Sequence, residues 1–102
     1  MRRINVSAWH NSNPNNVNGN GYGIRISTND LGTIRHWRSI RINDEEVLRE
    51  NCIYNEDCPE IRSNIIGLFL IRNNMTNWPN GQPSQLTLLE IENNIWQLEI
   101  QD

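Results

Sequence analysis

The stretch DCPEIRSNIIGLFLIRNN, residues 57 to 74, decides the fold class. Asp57, Pro59 and Glu60 present an N-cap carboxylate, a proline in the first turn and a glutamate placed to bond back to the cap, so a helix is predicted to start there. Ile61, Ile65, Leu68 and Phe69 recur at helical spacing, and Ile66, Leu70 and Ile71 widen the apolar arc, which predicts a helix buried on much of its circumference. Gly67 in its middle costs about 1 kcal/mol of helix propensity and implies the close approach of another backbone. Asn73 and Asn74 are its stop residues.

Outward from this helix the pattern changes to strand and turn. Residues 3 to 9 alternate, with Ile4, Val6 and Ala8 on one side and Asn5, Ser7 and Trp9 on the other. Residues 22 to 27 repeat the alternation through Tyr22, Ile24 and Ile26 against Gly23 and Arg25. Between them, NSNPNNVNGNG at 11 to 21 is dense in turn formers and reads as a long, exposed, mobile loop. A third strand is predicted over residues 33 to 42, with Ile34, Ile40 and Ile42 on its apolar side. The acidic stretch Asn43 to Asn51 suggests a turn with a little helix, and WPNGQP at 78 to 83 a rigid turn. Leu86 to Glu92 and Ile95 to Ile100, joined through Asn93 and Asn94, have the spacing of a hairpin.

Together these elements predict an α+β fold: a mostly antiparallel sheet of about five strands packed on one central helix, in a single domain over residues 1 to 102. A chain of 102 residues supports one modest core and no second domain. MRRINVSAWH lacks the apolar segment of a secretory signal, and the run IIGLFLI at 65 to 71 is too short to span a membrane, so a cytoplasmic protein without membrane association is expected. In that compartment Cys52 and Cys58, though spaced closely enough to bridge, are expected as free thiols.

SAWHN at 7 to 11, GNGYGIRIS at 19 to 27, CPEIRS at 58 to 63 with the following Ile66-Gly67, and WPNGQP at 78 to 83 span most of the chain. In these pieces the chain resembles a group of small uncharacterised bacterial proteins. The resemblance implies that the glycine-flanked strand, the Cys-x-Glu-x-Arg-Ser helix start and the Trp-Pro turn belong to one fold; it carries no activity. The present chain departs from that group in its abundance of asparagine and in its more acidic stretch before the helix.

Charge distribution directs the search for a site. The net charge of −3 divides into six arginines and one acid over residues 1 to 42, and three arginines and eleven acids over residues 43 to 102. Every basic residue is arginine, a planar and persistently ionised group suited to stacking and bidentate contacts. In the predicted third strand Arg35, Trp37 and Arg41 project opposite the apolar side, and Trp9 and Arg25 join that face if the first two strands lie alongside. Arginine interleaved with tryptophan is the surface on which unpaired bases stack while phosphates are neutralised. The competing reading is that the acidic second half balances this surface and that Trp over Arg is ordinary cation-π packing. Glu60, Arg62 and Arg25 are expected to form a structural ion network, and Trp78 to plug the edge of the core; both arginines and Trp78 are carried as candidate binding residues.

Enzymatic readings are thinner. Cys58 at a predicted helix N-terminus is the best nucleophile candidate, with His10 or His36 as base, but no spacing ties them together and Asp57 and Glu60 oppose a thiolate. A zinc site from Cys52, Cys58, His10 and His36 has the right ligand types at an unusual spacing. The glycines at 19, 21 and 23 precede a strand instead of opening a helix, so they do not form a phosphate loop. The chain is therefore read as a non-enzymatic binding or regulatory domain without a cofactor or metal. Nucleic acid is its first expected partner, and another protein or a second copy its next. An apolar sheet edge left exposed would favour the protein partner.

Overall fold

The computed structural model describes residues 1 to 101. Eight strands form one sheet: β1 (Arg3–His10), β2 (Tyr22–Ile26), β3 (Ser39–Ile42), β4 (Glu45–Leu48), β5 (Ile53–Asn55), β6 (Cys58–Arg62), β7 (Gln85–Glu92) and β8 (Ile95–Ile100). Their order across the sheet is β4-β3-β8-β7-β1-β2-β6-β5, with every pairing antiparallel except β3 with β8. Two helices accompany it, the single turn α1 (Leu31–Ile34) and the longer α2 (Asn64–Arg72). No helix among the described residues is long and apolar enough to cross a membrane.

The strand order forces the sheet to curl. β4 and β5 occupy its two opposite edges, yet only residues 49 to 52 join them, a link that reaches at most about 18 Å. Eight strands laid flat would separate those edges by about 34 Å. The sheet is therefore a half-barrel, and the molecule measures 32 × 28 × 27 Å. Its inner face carries Ile4, Val6, Ile24, Ile26, Ile61, Leu86, Leu88 and Trp96, all buried, and α2 adds Ile66, Phe69 and Leu70. Arg49, in the link, ties the two edges together: its Nη1 donates to the carbonyls of Arg35 and Trp37 at 2.9 and 3.1 Å. Its guanidinium lies 5.1 Å from the centre of the Trp37 ring and 5.0 Å from that of Tyr54.

β1, β2 and the β7–β8 hairpin match their sequence patterns. In the hairpin Leu98 and Ile100 face Leu88 and Leu86, and Leu89 pairs with Gln97 on the outer side. The count of five strands is corrected to eight, because three further strands, β4, β5 and β6, lie in short hairpins that escape a periodicity test. The helix start is also corrected. Asp57 lies in the turn between β5 and β6, and residues 58 to 62 are strand; the cap is Ser63, whose Oγ accepts from Ile65 N at 3.1 Å. Ile61 is buried opposite Ile24 in the ladder, and that pairing outweighs the local capping signal. Pro59 is tolerated beside the bulge in the β5–β6 pairing, where the ladder is already interrupted.

The predicted strand over 33 to 42 survives only as Ser39–Ile42. Ser27 Oγ accepts from Asn29 N and opens a 3-10 turn that runs into α1, and Trp37 N then donates to Ile34 O at 2.8 Å. Residues 11 to 21 form the expected long loop, exposed at most positions, but one tied by its own side chains. Asn11, Asn15 and Asn18 each turn a side-chain oxygen back onto backbone N–H groups two or three residues ahead. Gly19, buried, seats this loop against Gly67 of α2, which is the close backbone approach that Gly67 implied.

Candidate functional site

The outer face of β1, β2 and β6 carries the densest arrangement of chemistry. Register places Trp9 opposite Gly23, Gly23 opposite Arg62, and Arg62 opposite Ile53 in one row across four strands. Gly23 has no side chain to stand between its neighbours, so Arg62 reaches across it and its guanidinium lies 4.5 Å from the centre of the Trp9 ring. In the next row Ser7, Arg25 and Glu60 are adjacent. Glu60 is 5% exposed and serves both arginines: Oε2 accepts from Arg25 Nε and Nη2 at 3.2 and 3.0 Å, and Oε1 from Arg62 Nη2 at 3.0 Å. The expected network of Glu60, Arg62 and Arg25 is thus present, between two strands instead of at a helix start.

The other candidates are dispersed. Trp37 is 1% exposed, packed edge-on against Tyr54 at 5.5 Å and beneath Arg49, so it belongs to the core and not to the outer face. The reason is the loss of strand at residues 33 to 38, which breaks the alternation that placed it outside. Arg35 follows α1 and meets Glu56 at 3.4 Å. Arg41 is on the outer face but on β3, four strands from β2, and pairs with Glu46 at 3.2 Å. Trp78 is half-buried against the core and stacks on His10 with ring centres 5.0 Å apart. Of the seven candidates, Trp9, Arg25 and Arg62 share one surface.

The charge asymmetry is resolved inside the fold. Arg2 pairs with Glu90, Arg25 with Glu60, Arg35 with Glu56 and Arg41 with Glu46. Four of the six arginines in the first 42 residues are matched by acids from the remainder of the chain. The Arg2 pair is bidentate, with both bonds at 2.8 Å, and Arg2 also donates to Thr33 O at 2.7 Å. Arg2 and the Asn94 N–H hold the Glu90 carboxyl down at a pKa of about 2.

Two hollows flank the paired arginines. An open groove of about 650 Å³ runs beside Arg25 and Glu60, past Ser7, Asp30, Asp57 and Gln85. A smaller one of about 300 Å³ lies beside Trp9 and Arg62, with Asn20, Asn51, Ile53 and Asn64 along it. Ile53 is 65% exposed on the edge strand β5. Sequence reasoning passed over it, since a three-residue strand leaves no period to detect.

Cys58 begins β6 and is exposed, so no helix end acts on its thiol. Burial pushes the Cys52 thiol up to about 11. His10 Nδ1 is 2.6 Å from the Asn11 carbonyl, and neither histidine is hydrogen-bonded to a cysteine among the described residues. Nor do three His, Cys, Asp or Glu side chains converge there as metal ligands. The chain matches no protein-family model, no curated protein and no solved structure, so its geometry alone carries the functional reading.

Proposed function

We propose that the chain is a non-enzymatic binding domain that self-associates through the outer face of the sheet at its β5 edge, at Ile53 and Arg62 of the β5–β6 hairpin and Trp9 of β1. The observation that carries this is Ile53: a large aliphatic side chain 65% exposed on a sheet edge, beside an arginine laid on a tryptophan. Tryptophan and arginine are the residue types that dominate binding energy at protein interfaces, and an open strand edge is a template for pairing. The hairpin is also self-complementary in charge. Asp57 lies at its turn, and Arg62 lies opposite Ile53 at its other end. A two-fold contact between two such hairpins sets the Asp57 end of each against the Arg62 end of the other.

Sedimentation velocity over a range of protein concentrations tests this. The expected result is a monomer–dimer equilibrium that Ile53→Asp abolishes and that Asp57→Arg weakens. A wild-type chain that remains monomeric at every concentration overturns it.

One observation favours single-stranded nucleic acid as a second reading. The Arg62 guanidinium, 4.5 Å from the centre of the Trp9 ring, is a platform on which a base can stack. The ion pairs weaken this reading, since Glu60 cancels one of the two charges that Arg25 and Arg62 bring to the surface. Tryptophan quenching by an oligonucleotide that fades with added salt would support it, and an unchanged signal at low salt would sink it.

A further inference from the structure

Asparagine is the most abundant residue of the chain, at 18 of 102, and the surface described above uses few of these side chains. Three of them precede glycine: Asn18-Gly19, Asn20-Gly21 and Asn80-Gly81. In such a pair the glycine amide nitrogen, with no β-carbon beside it, attacks the asparagine Cγ. A C–N bond forms, the Cγ–Nδ2 bond breaks, and ammonia leaves. Water then opens the succinimide to aspartate or isoaspartate. The reaction needs a glycine N–H free of other bonds and a backbone free to swing that nitrogen onto Cγ.

The fold withholds both conditions at Asn18. Gly19 N donates to Asn15 O at 3.0 Å, Asn18 Oδ1 accepts from Asn20 N at 2.9 Å, and the Gly19 backbone is packed against α2. Swinging that peptide requires the loop to leave the helix. At Asn20 the Gly21 N–H has no hydrogen-bond partner among the described residues, but the backbone around it is held against swinging: Asn20 N donates to Asn18 Oδ1 at 2.9 Å, Asn20 O accepts from Asn15 N at 2.8 Å, and Gly21 O accepts from Asn11 N at 2.8 Å. Asn80 and Gly81 are different. Both are exposed, nothing lies within 4 Å of a β-carbon built on Gly81, and neither the Asn80 carboxamide nor the Gly81 N–H has a hydrogen-bond partner among the described residues. Their turn is closed by one bond, from Gln82 N to Pro79 O at 2.9 Å, and the prolines at 79 and 83 stiffen its flanks without tying the Asn80–Gly81 peptide itself.

We infer that Asn80 is the chain's site of spontaneous deamidation, and that docking of the asparagine-rich loop on α2 shields Asn18 and Asn20 from the same reaction. The product adds a negative charge and, as isoaspartate, a backbone methylene to the turn that follows Trp78. Trp78 stacks on His10, so its environment reports the change.

The test is to hold the folded chain in mildly alkaline buffer and follow the three Asn-Gly peptides by mass spectrometry, with isoaspartate scored separately. The native Asn80 peptide is expected to be lost first, with a matching shift in Trp78 emission, while the Asn18 and Asn20 peptides persist. In strong denaturant all three are expected to be lost at similar rates. Asn15→Ala, which removes the side-chain oxygen that accepts from Val17 N and Asn18 N, is expected to speed loss at Asn18 and Asn20 and leave Asn80 unchanged. Loss at Asn18 as fast as at Asn80 in the folded wild type, or an unchanged ranking in denaturant, overturns the inference.

Discussion

Gly19 and Gly67 touch backbone to backbone: a β-carbon on Gly67 would overlap the carbonyl group of Gly19, and one on Gly19 would overlap the Asn64 carbonyl of α2. Two glycines far apart in sequence thus let a loop whose Val17 stays exposed, and which buries only Gly19, lie flush on the central helix.

Gly67→Ala should therefore lower stability even though alanine is the better helix former. The propensity gain of about 1 kcal/mol is opposed by an overlap with backbone atoms that have no rotamer to escape into, for which overpacking of about 1 to 3 kcal/mol is typical. Urea denaturation is expected to show a lower midpoint than wild type. A higher midpoint would mean that the loop moves aside at no cost.

Much of the sheet was legible because its long strands are half-buried. β1, β2, β7 and β8 each set apolar residues at alternate positions over at least five residues. β4 and β5 give no such signal: at four and three residues they hold at most two repeats of the alternation, and each is the edge strand of a short hairpin, paired on one side alone. The capping pattern at Asp57 to Glu60 misled because its residues answer to a distant strand. Glu60 is needed by Arg25 and Ile61 by Ile24, and both demands come from a strand more than thirty residues upstream. The site follows suit: the link between Arg25 and Glu60 was readable as complementary charge, whereas the burial of Trp37 under Arg49 depended on a local helix that the alternating isoleucines concealed.

Glu60 is the residue that keeps the arginine surface from acting as a polyanion site. Glu60→Gln retains the shape and removes the charge, leaving Arg25 and Arg62 without a counter-ion beside a buried amide. The loss of a charged hydrogen-bond partner should cost about 1 to 3 kcal/mol, read as a lower denaturation midpoint. Arg62, less firmly held, is expected to uncover Trp9 and raise its quenching by acrylamide. Binding of a single-stranded oligonucleotide should become stronger in the variant than in wild type, and more so at low salt.

The Arg2–Glu90 pair makes stability fall in acid. The Glu90 carboxyl titrates at about 2 in the folded chain against an ordinary 4.5, because Arg2 and the Asn94 N–H bond to its charged form. A group whose folded value is depressed contributes its full stabilisation above the unfolded value and loses it as protons bind the unfolded chain more readily. The contribution is expected to be intact above about pH 4.5 and to disappear on descending toward pH 2. Glu90→Gln should lower the midpoint at neutral pH and flatten the slope across that interval. An equal slope in variant and wild type would assign the acid sensitivity elsewhere.

The two thiols are separated by structure as well as by reactivity. Cys58 lies opposite Asn55 near the turn of the β5–β6 hairpin, while Cys52 precedes Ile53 at its open end. Three residues of strand put them about 10 Å apart along the hairpin, beyond the roughly 7 Å that a disulfide tolerates between Cα atoms. Mild oxidation of dilute protein should therefore yield no internal bridge, although the sequence spacing alone permits one. Cys58 is exposed and should react with a maleimide at neutral pH. Cys52, whose thiol burial raises to about 11, should stay unlabelled until the chain is unfolded. Equal labelling of both thiols in the folded chain would show that the hairpin opens readily at the 49 to 52 link, and would remove the basis for treating the β5 edge as a fixed docking surface.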